Sequence, residues 1–504
     1  MTNNISGEEK ANLSKAKYVF FNTIILIALA LLGTLFIEGA DESGYKFYNY
    51  LFCLFGTLVF LWCLWSWYKL RKEILCPYVI FLSTAYVFMF GQSMLLALGI
   101  PINPMRDLHS RYSNFIMLKA NVFTCLGLCA FHNGALFSAK VEKCSNKCLQ
   151  TSNERYKNKI KYLYKSMQVV GWLLFLISIG PTVANTVNSI RLVSSYGYRF
   201  LYDESLIRIG VQNWSKILQQ FFVPSLICLF ICSHNNKFIR WFVIFFSILY
   251  ILSGFYLGGR GKPVVLILCL ICMWHFLIKP IKGCKSLLFV ISGIIFISFL
   301  SVIFKLRNVP NRTFLDYVEL FLNSFGKENL FVEAISEMGG SMFPLINVML
   351  LVPDVFSFRY GESYLYALFS LIPNLGFWDL HPSTIKANLG DWLQDVLGIG
   401  YGPGFSMAAE AYINFGWFGI IFMTLLGCFY GWLFSLISRK EKPEQYNPVI
   451  FFFVFSILSM TMMTVRNSFI GTVRAFIYYT IPVCVLCLMI AEYLGRYEIK
   501  KHNS

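Results

Sequence analysis

The chain has 504 residues, of which 57% are hydrophobic and only 14% are charged, and it contains 50 Phe. This composition excludes an ordinary soluble enzyme and is typical of a polytopic membrane protein. The formal net charge of +17 falls mainly in loops that are expected to face anionic lipid, which argues against nucleic acid as a partner.

Apolar runs long enough to cross a bilayer recur along the whole chain. They predict an all-α fold with twelve spans, near residues 18–37, 48–68, 77–100, 114–138, 167–186, 215–233, 239–257, 263–278, 286–304, 406–437, 448–464 and 475–493. With the N-terminus inside, the Lys-rich loops are all cytoplasmic, at 69–76, 139–166, 279–285 and 438–447. Both termini, 1–17 and 494–504, are then cytoplasmic as well. No cleavage site follows the first apolar run, so we expect the first helix to be retained.

Two segments on the opposite face are much longer than turns. One is 187–214, within the first nine spans (18–304), and the other is 305–405, which precedes the last three spans (406–493). Loops this long are usually functional. We expect 305–405 to form a large periplasmic subdomain of short amphipathic helices, with apolar stretches that enter the membrane surface. The predicted helices are Thr313–Leu322, Leu330–Met338 and Ser383–Leu397, and an apolar stretch runs from Met342 to Val352.

The basic residues divide by type between the two faces. The cytoplasmic face has 20 Lys and 5 Arg, whereas the outer face has 11 Arg and 7 Lys. Membrane topology requires only positive charge, which Lys supplies. Arg is preferred where a planar, forked donor must bind phosphate or carboxylate. The outer face is therefore expected to bind a polyanionic ligand.

The run Gly258-Gly-Arg-Gly-Lys262 joins two predicted helices at the outer interface. Its glycines would let the backbone approach a ligand, to which Arg260 and Lys262 present cationic groups. The alternative is a tight turn with cations that extend toward water. Pro263 stands where a Walker A loop needs Ser or Thr, so this is not an ATP site. The other expected anion ligands on this face are Arg191, Arg199, Arg208, Arg466 and Arg474.

Glu410 lies one to two turns into the helix predicted to begin near Phe405. A carboxylate at this depth is costly, so it should face protein or a wet cavity. We expect it either to pair with an Arg or to take part in catalysis. Asn414 shares its helix face, and Tyr412 lies between them. The alternating glycines before this helix, 398 to 404, would form either a phosphate nest or a hinge.

His381 is the only His of the long outer loop. It is either structural or a second candidate for a base or sugar contact. No metal motif and no cofactor motif occurs in the chain. The pairs Cys269/Cys272 and Cys484/Cys487 have metal-like spacing, but each lies in an apolar helix segment, so we expect these side chains to pack.

The chain resembles the Wzy class of O-antigen and oligosaccharide repeat-unit polymerases. The resemblance lies in the twelve or so spans, the late outer loop, the element at 258–261 and above all the run from Gly404 to Gly419, GFSMAAEAYINFGWFG. Some members also carry an Arg, ten residues and a Gly in each of two outer loops. Arg199 to Gly210 has this spacing, but no Arg of 305–405 does.

The resemblance implies a multi-pass glycosyltransferase of the GT-C type in the bacterial inner membrane, with its active site facing the periplasm. It would join sugar repeats linked to undecaprenyl diphosphate, without a metal, and a Wzz-type chain-length regulator is an expected partner. Arg260 would then act in catalysis beside the leaving diphosphate, with Glu410 as the first candidate base and His381 as the second. The residues that would bind substrate are Lys262, Tyr412, Asn414, Arg191, Arg199, Arg208, Arg466 and Arg474. An O-antigen ligase and a lipid-linked oligosaccharide flippase or other transporter remain the alternatives at this point.

Overall fold

The computed structural model describes residues 7–39, 41–140, 154–198, 213–281, 284–324, 329–372, 377–438 and 446–503. Throughout these ranges the chain forms helices and turns, and they contain no strand. The helices are α1 Gly7–Glu38, α2 Glu42–Arg71, α3 Pro77–Ala97, α4 Leu108–Arg111, α5 Asn114–Ser138, α6 Glu154–Tyr196, α7 Asn213–Gln219, α8 Phe222–Cys232, α9 Lys237–Tyr256, α10 Gly261–Leu277, α11 Cys284–Leu306, α12 Phe314–Ser324, α13 Leu330–Gly339, α14 Phe343–Leu351, α15 Glu362–Phe369, α16 Pro382–Ala387, α17 Leu389–Leu397, α18 Met407–Phe415, α19 Gly419–Phe434, α20 Pro448–Thr461, α21 Ile470–Ala475 and α22 Ile481–Asn503.

Eleven helical segments of the described part are long and apolar enough to cross a membrane. Ten of them correspond to predicted spans. The other two predicted spans are the shorter apolar helices Gly261–Leu277 and Ile291–Leu306. The prediction of an all-α, polytopic membrane protein is therefore confirmed. The fifth span is longer than the apolar run, because α6 continues past Pro181 to Tyr196.

The eleventh segment, Leu330–Leu351, falls inside 305–405 and was not among the predicted spans. A 3-10 turn at Gly340–Met342 joins α13 to α14 into one helical rod of 22 residues. Gly339 packs directly on α3, because a Cβ at this position would lie 2.4 Å from the backbone nitrogen of Gln92. The Gln92 side chain also donates to the Ser336 carbonyl (2.8 Å). This part of 305–405 is thus packed against a spanning helix.

The helices form two compact units. The first comprises residues 1–145, 335–436 and 460–474, and the second comprises 146–334, 437–459 and 475–504. In the second unit, α9, α10 and α11 pack with α12 around a buried apolar cluster, which includes Phe255, Leu266 and Val302. The turn between α9 and α10 carries Arg260, one of the expected arginines.

The first unit is built around the contact of α5 with α19. A Cβ on Gly427 would lie 1.9 Å from the Phe131 carbonyl oxygen, and one on Gly134 would lie 2.0 Å from the carbonyl oxygen of Thr424. The two backbones therefore touch. Membrane helices that approach so closely need small residues at the contact, because packing rather than water exclusion holds them together.

Replacing Gly427 by alanine is expected to force α5 and α19 apart and to destabilise the protein by at least about 1–3 kcal/mol. The measurement is the melting temperature of the detergent-purified protein, followed by size-exclusion chromatography after heating. The matched control is Gly293→Ala in α11, where a Cβ meets nothing within 4 Å. That change should leave the melting temperature unchanged or raise it, since alanine favours helix. Equal losses in both variants would contradict the close-contact interpretation.

Candidate functional site

Glu410 lies in the first turn of α18 and is 1% exposed. Both of its carboxylate oxygens accept hydrogen bonds. The Ser363 hydroxyl donates to Oε1 (2.8 Å), and the backbone N–H of Phe469 donates to Oε2 (2.7 Å). A buried carboxylate is tolerated when donors replace the water it has lost. Glu410 therefore connects α18 to the start of α15 and to the turn before α21.

Asn414 lies on the same face of α18, as its spacing predicted, and is fully buried. Its Nδ2 donates to the Ser363 hydroxyl (2.8 Å) and to the Glu410 carbonyl (2.7 Å). Its Oδ1 accepts from the backbone N–H of Gly361 (3.1 Å). Asn414 thus orients the serine that binds the Glu410 carboxylate, which is a positioning role.

A small cavity adjoins the Glu410 carboxylate. Its volume is about 10 Å³, which is room for roughly one water molecule. Met407, Tyr430, Thr464 and Asn467 are among the residues that line it, and Asn467 is exposed at the surface. A base can act through one ordered water as well as by direct contact. The geometry is compatible with that kind of proton transfer.

The glycine-rich segment before α18 ends at a close backbone contact. Gly404 has a φ of +73°, and a Cβ there would lie 2.8 Å from the carbonyl oxygen of Arg466. The same carbonyl accepts from the backbone N–H of Phe405 (2.9 Å). Arg466, an exposed residue, is therefore held by its main chain beside the N-terminus of α18. Ser406 caps that helix, with its hydroxyl accepting from the Ala409 N–H (3.1 Å).

His381 and Arg474 meet at Ser383. The backbone N–H of Ser383 donates to His381 Nδ1 (3.1 Å), so that nitrogen is an acceptor and caps α16. The Ser383 hydroxyl lies 2.7 Å from the same nitrogen, and Nε2 donates to the Ile372 carbonyl (2.8 Å). Arg474 donates to the hydroxyls of Ser383 and Thr384, at 3.2 Å each. The structure therefore brings together two of the residues predicted from sequence.

Arg260 belongs to the second unit and has a partner there that sequence reasoning did not single out. Its guanidinium lies 4.9 Å from the centroid of the Phe304 ring, and that of Arg307 lies 4.1 Å from the same centroid. Arg307 also lies 5.0 Å from the Tyr198 ring. Each cation–π contact stabilises by about 0.5–2 kcal/mol. Arg260 Nη1 also donates to the Leu300 carbonyl (3.3 Å), and the two guanidinium groups share one aromatic ring.

The backbone around this pair is fixed by close contacts. Gly258 has a φ of +85°, and a Cβ there would lie 2.7 Å from the Cβ of Arg307. Arg312 is 3% exposed and donates to the carbonyls of Leu306 (3.1 Å) and Tyr256. It therefore joins the ends of α9 and α11. Arg312 is a structural arginine, in contrast to the half-buried Arg260 and Arg307.

The remaining predicted residues are dispersed. Arg191 is exposed on α6 and Lys262 is exposed at the start of α10. Tyr412 is 7% exposed, with its ring 5.2 Å from that of Phe123 and 6.1 Å from that of Phe358. Arg199 and Arg208 lie outside the described residues, so their predicted role stays a prediction.

Ser363 and Arg307 are the contacts that sequence reasoning missed. Arg307 carried a usable signal, since it is an arginine directly after an apolar span, whereas Ser363 carried none. Within the part of the chain that the structure describes, no group of three or more His, Cys, Asp or Glu side chains could hold a metal ion. Cys269 and Cys272 are buried.

Comparison with known proteins gives one match. A family model described as O-antigen polysaccharide polymerase Wzy matches residues 18–497, which is nearly the whole chain. Neither the curated proteins nor the solved structures contain a match.

Proposed function

The chain belongs to the O-antigen polysaccharide polymerase Wzy family, and from this premise we propose that it moves a growing glycan from its undecaprenyl-diphosphate carrier onto a new carrier-linked repeat unit. The observation that supports the proposal best is the family match across all the spanning helices. We place the reaction at the periplasmic face of the bacterial inner membrane, as a metal-independent transfer of the GT-C type. A Wzz-type chain-length regulator is the proposed partner.

In the proposed reaction a hydroxyl oxygen of the acceptor sugar attacks the anomeric carbon of the donor glycan. The bond from that carbon to the diphosphate breaks, and undecaprenyl diphosphate leaves with the electron pair. The main catalytic requirement is to neutralise charge on this leaving group. Arg260 and Arg307 around Phe304 supply two guanidinium groups suited to a diphosphate. Lys262, Arg466 and Arg474 are proposed to bind substrate as well.

The hydroxyl proton requires an acceptor. We retain Glu410 as the first proposed base, acting through the water-sized cavity beside its carboxylate. His381 is the second candidate, although both of its ring nitrogens have hydrogen-bond partners. Arg191, Arg199 and Arg208 are proposed to bind the second diphosphate or the glycan, and Tyr412 and Asn414 to shape the acceptor side.

The function is tested by deleting the gene in its host and examining the lipopolysaccharide by gel electrophoresis. We expect the ladder of long chains to be replaced by core that carries a single repeat unit, and a plasmid copy to restore the ladder. Bare core in the deletion strain would indicate a ligase instead. A plasmid copy that carries Gly293→Ala alters a glycine with open space around it. It should restore the ladder as well as the wild-type copy does, and it serves as the control for plasmid-encoded variants.

Two substitutions of His381 distinguish a structural role of its imidazole from a catalytic one. If the imidazole only caps α16, His381→Asn should retain most of the polymer, because Asn is a good cap, whereas His381→Ala should lose about 1 kcal/mol of local stability. If it is a base, both variants should fall by about 10²–10⁴-fold in rate. We expect the first pattern, measured as polymer formed per hour by purified protein. Equal, complete losses in both variants would contradict it.

A further inference from the structure

An open pocket in the first unit lies apart from Glu410 and was not indicated by the sequence. Its volume is about 540 Å³. The walls come from the segment before α15, from α16, from α17 and from the last turns of α18. The residues used below are Phe356, Phe358, Arg359, Glu362, Lys386 and Trp392.

Arg359 is held in place within this pocket. Its guanidinium lies 5.0 Å from the centroid of the Trp392 ring, and its Nη1 donates to the Lys386 carbonyl (3.0 Å). Its backbone N–H donates to the Ile413 carbonyl (2.9 Å) in α18. A guanidinium fixed in this way loses little conformational entropy when a ligand binds.

The charges of the pocket do not cancel. Glu362 forms an ion pair with Lys386, with Oε1 and Nζ 3.0 Å apart. That carboxylate is thus occupied by lysine, and Arg359 adds a further positive charge. Burial lowers the pKa of Arg359, while the carboxylates of Glu362 and Glu410 oppose this effect. The side chains that line the pocket therefore carry one net positive charge, from Arg359 and Lys386 against Glu362, which favours an oxyanion there.

Aromatic rings line the same space. Trp392 and Phe356 form an edge-to-face pair, with ring centroids 5.6 Å apart and ring planes at 77°. The Phe358 side chain also lines the pocket. Such rings offer flat apolar surfaces for the C–H face of a sugar, while Trp and the charged groups supply donors. The combination of ring surfaces with a fixed guanidinium suits a sugar ring that carries an oxyanion.

The position of α15 connects this pocket with the membrane. Tyr364 stacks on Phe422 in the spanning segment Met407–Phe434, with centroids 4.0 Å apart. On α15, Leu365 is 57% exposed and Leu368 is 50% exposed. Apolar side chains beside a spanning helix are stable when they face lipid. Glu362, which lines the pocket, begins this same helix.

We propose that the Arg359–Trp392 pocket binds an oxyanion-bearing saccharide unit of a lipid-linked glycan. The oxyanion is either the carboxylate of an acidic sugar or the phosphate group next to the first sugar. The nature of the ligand as a glycan rests on the proposed function. Binding can nevertheless be measured without polymerisation, so either proposal can fail while the other stands.

The test is saturation-transfer NMR on the full-length protein in detergent micelles. The probes are methyl glucuronide, methyl glucoside and inorganic pyrophosphate, the last followed by phosphorus line broadening. We expect glucuronide to bind about tenfold more tightly than glucoside. Arg359→Gln and Trp392→Leu should each weaken its binding about tenfold, and Arg359→Lys should weaken it less. The control is Arg111→Gln, which alters an exposed arginine of α4 and should change nothing.

The three probes distinguish the possible ligands of the pocket. Arg359-dependent binding of glucuronide identifies an acidic sugar, and Arg359-dependent binding of pyrophosphate alone identifies the phosphate end of the glycan. Equal binding of glucuronide and glucoside overturns the oxyanion assignment. Binding that survives Arg359→Gln, or no binding of any probe, overturns the pocket. A size-exclusion profile that matches the wild type shows that a variant is folded. If no probe binds but cells still form normal polymer, the pocket proposal fails and the proposed polymerase function stands.

Discussion

Substituting Arg260 by glutamine is expected to reduce polymer formation by about 10²–10³-fold, which is the usual loss when one donor to a developing oxyanion is removed. The guanidinium lies 4.9 Å from the Phe304 centroid, beside that of Arg307. Removing it halves the positive charge at this ring. The measurement is the rate at which purified protein extends lipid-linked repeat units in micelles.

Two further substitutions make this result specific. Arg260→Lys keeps the charge but loses the planar fork, so we expect partial activity. Arg312 is buried and donates to the carbonyls that end α9 and α11, so Arg312→Lys should lower the melting temperature and the yield, with normal activity per folded molecule. Normal polymerisation by Arg260→Lys would contradict the requirement for a forked donor. A lower melting temperature in Arg260→Gln, comparable to that of Arg312→Lys, would indicate a structural role for Arg260.

Replacing Glu410 by glutamine is expected to lower the polymerisation rate by about 10²–10⁴-fold, as for the loss of a general base. Glutamine preserves the shape and one acceptor oxygen, so the melting temperature should fall only slightly. Glu410→Ala removes the partners of Ser363 and of the Phe469 N–H. Each buried donor left unpaired costs about 1–3 kcal/mol, so this variant should lose stability as well as activity.

The Ser363→Ala variant tests whether Glu410 acts as a general base or only as an anchor, that is, a structural hydrogen-bond acceptor. It removes one of the two donors to Glu410 but leaves the carboxylate in place. We expect its rate to fall less than that of Glu410→Gln, by about tenfold to a hundredfold, since a hydrogen bond to a charged group contributes about 1.5–3 kcal/mol. If Ser363→Ala and Glu410→Gln lose the same activity and the same melting temperature, Glu410 is an anchor and the base must be sought elsewhere.

Much of the fold could be predicted because hydropathy is a local property. Ten of the eleven spanning segments were recognised from runs of apolar residues. Leu330–Leu351 was not, since its mean hydropathy is only 1.3 and Gly339–Gly340 interrupts it. Its packing on α3 depends on the absence of a side chain at Gly339, where backbone meets backbone. Such a contact leaves no periodic signal in the sequence.

The residues of the candidate site could be predicted from their type and position, but their hydrogen-bond partners could not. An arginine at a span end and a carboxylate inside a span both signal an unusual environment, and Arg260 and Glu410 were found in that way. An arginine was one expected partner for Glu410. The structure supplies a serine hydroxyl and a backbone N–H instead.

The sequence by itself determined the membrane class and the helical fold, because both depend on hydropathy and composition counted along the chain. Only the tertiary structure decided that Arg260 and Arg307 share Phe304, that Ser363 binds Glu410 across 47 positions, and that Arg359 and Trp392 line one pocket. These pairings join distant segments, and their energies depend on distances that local patterns do not encode.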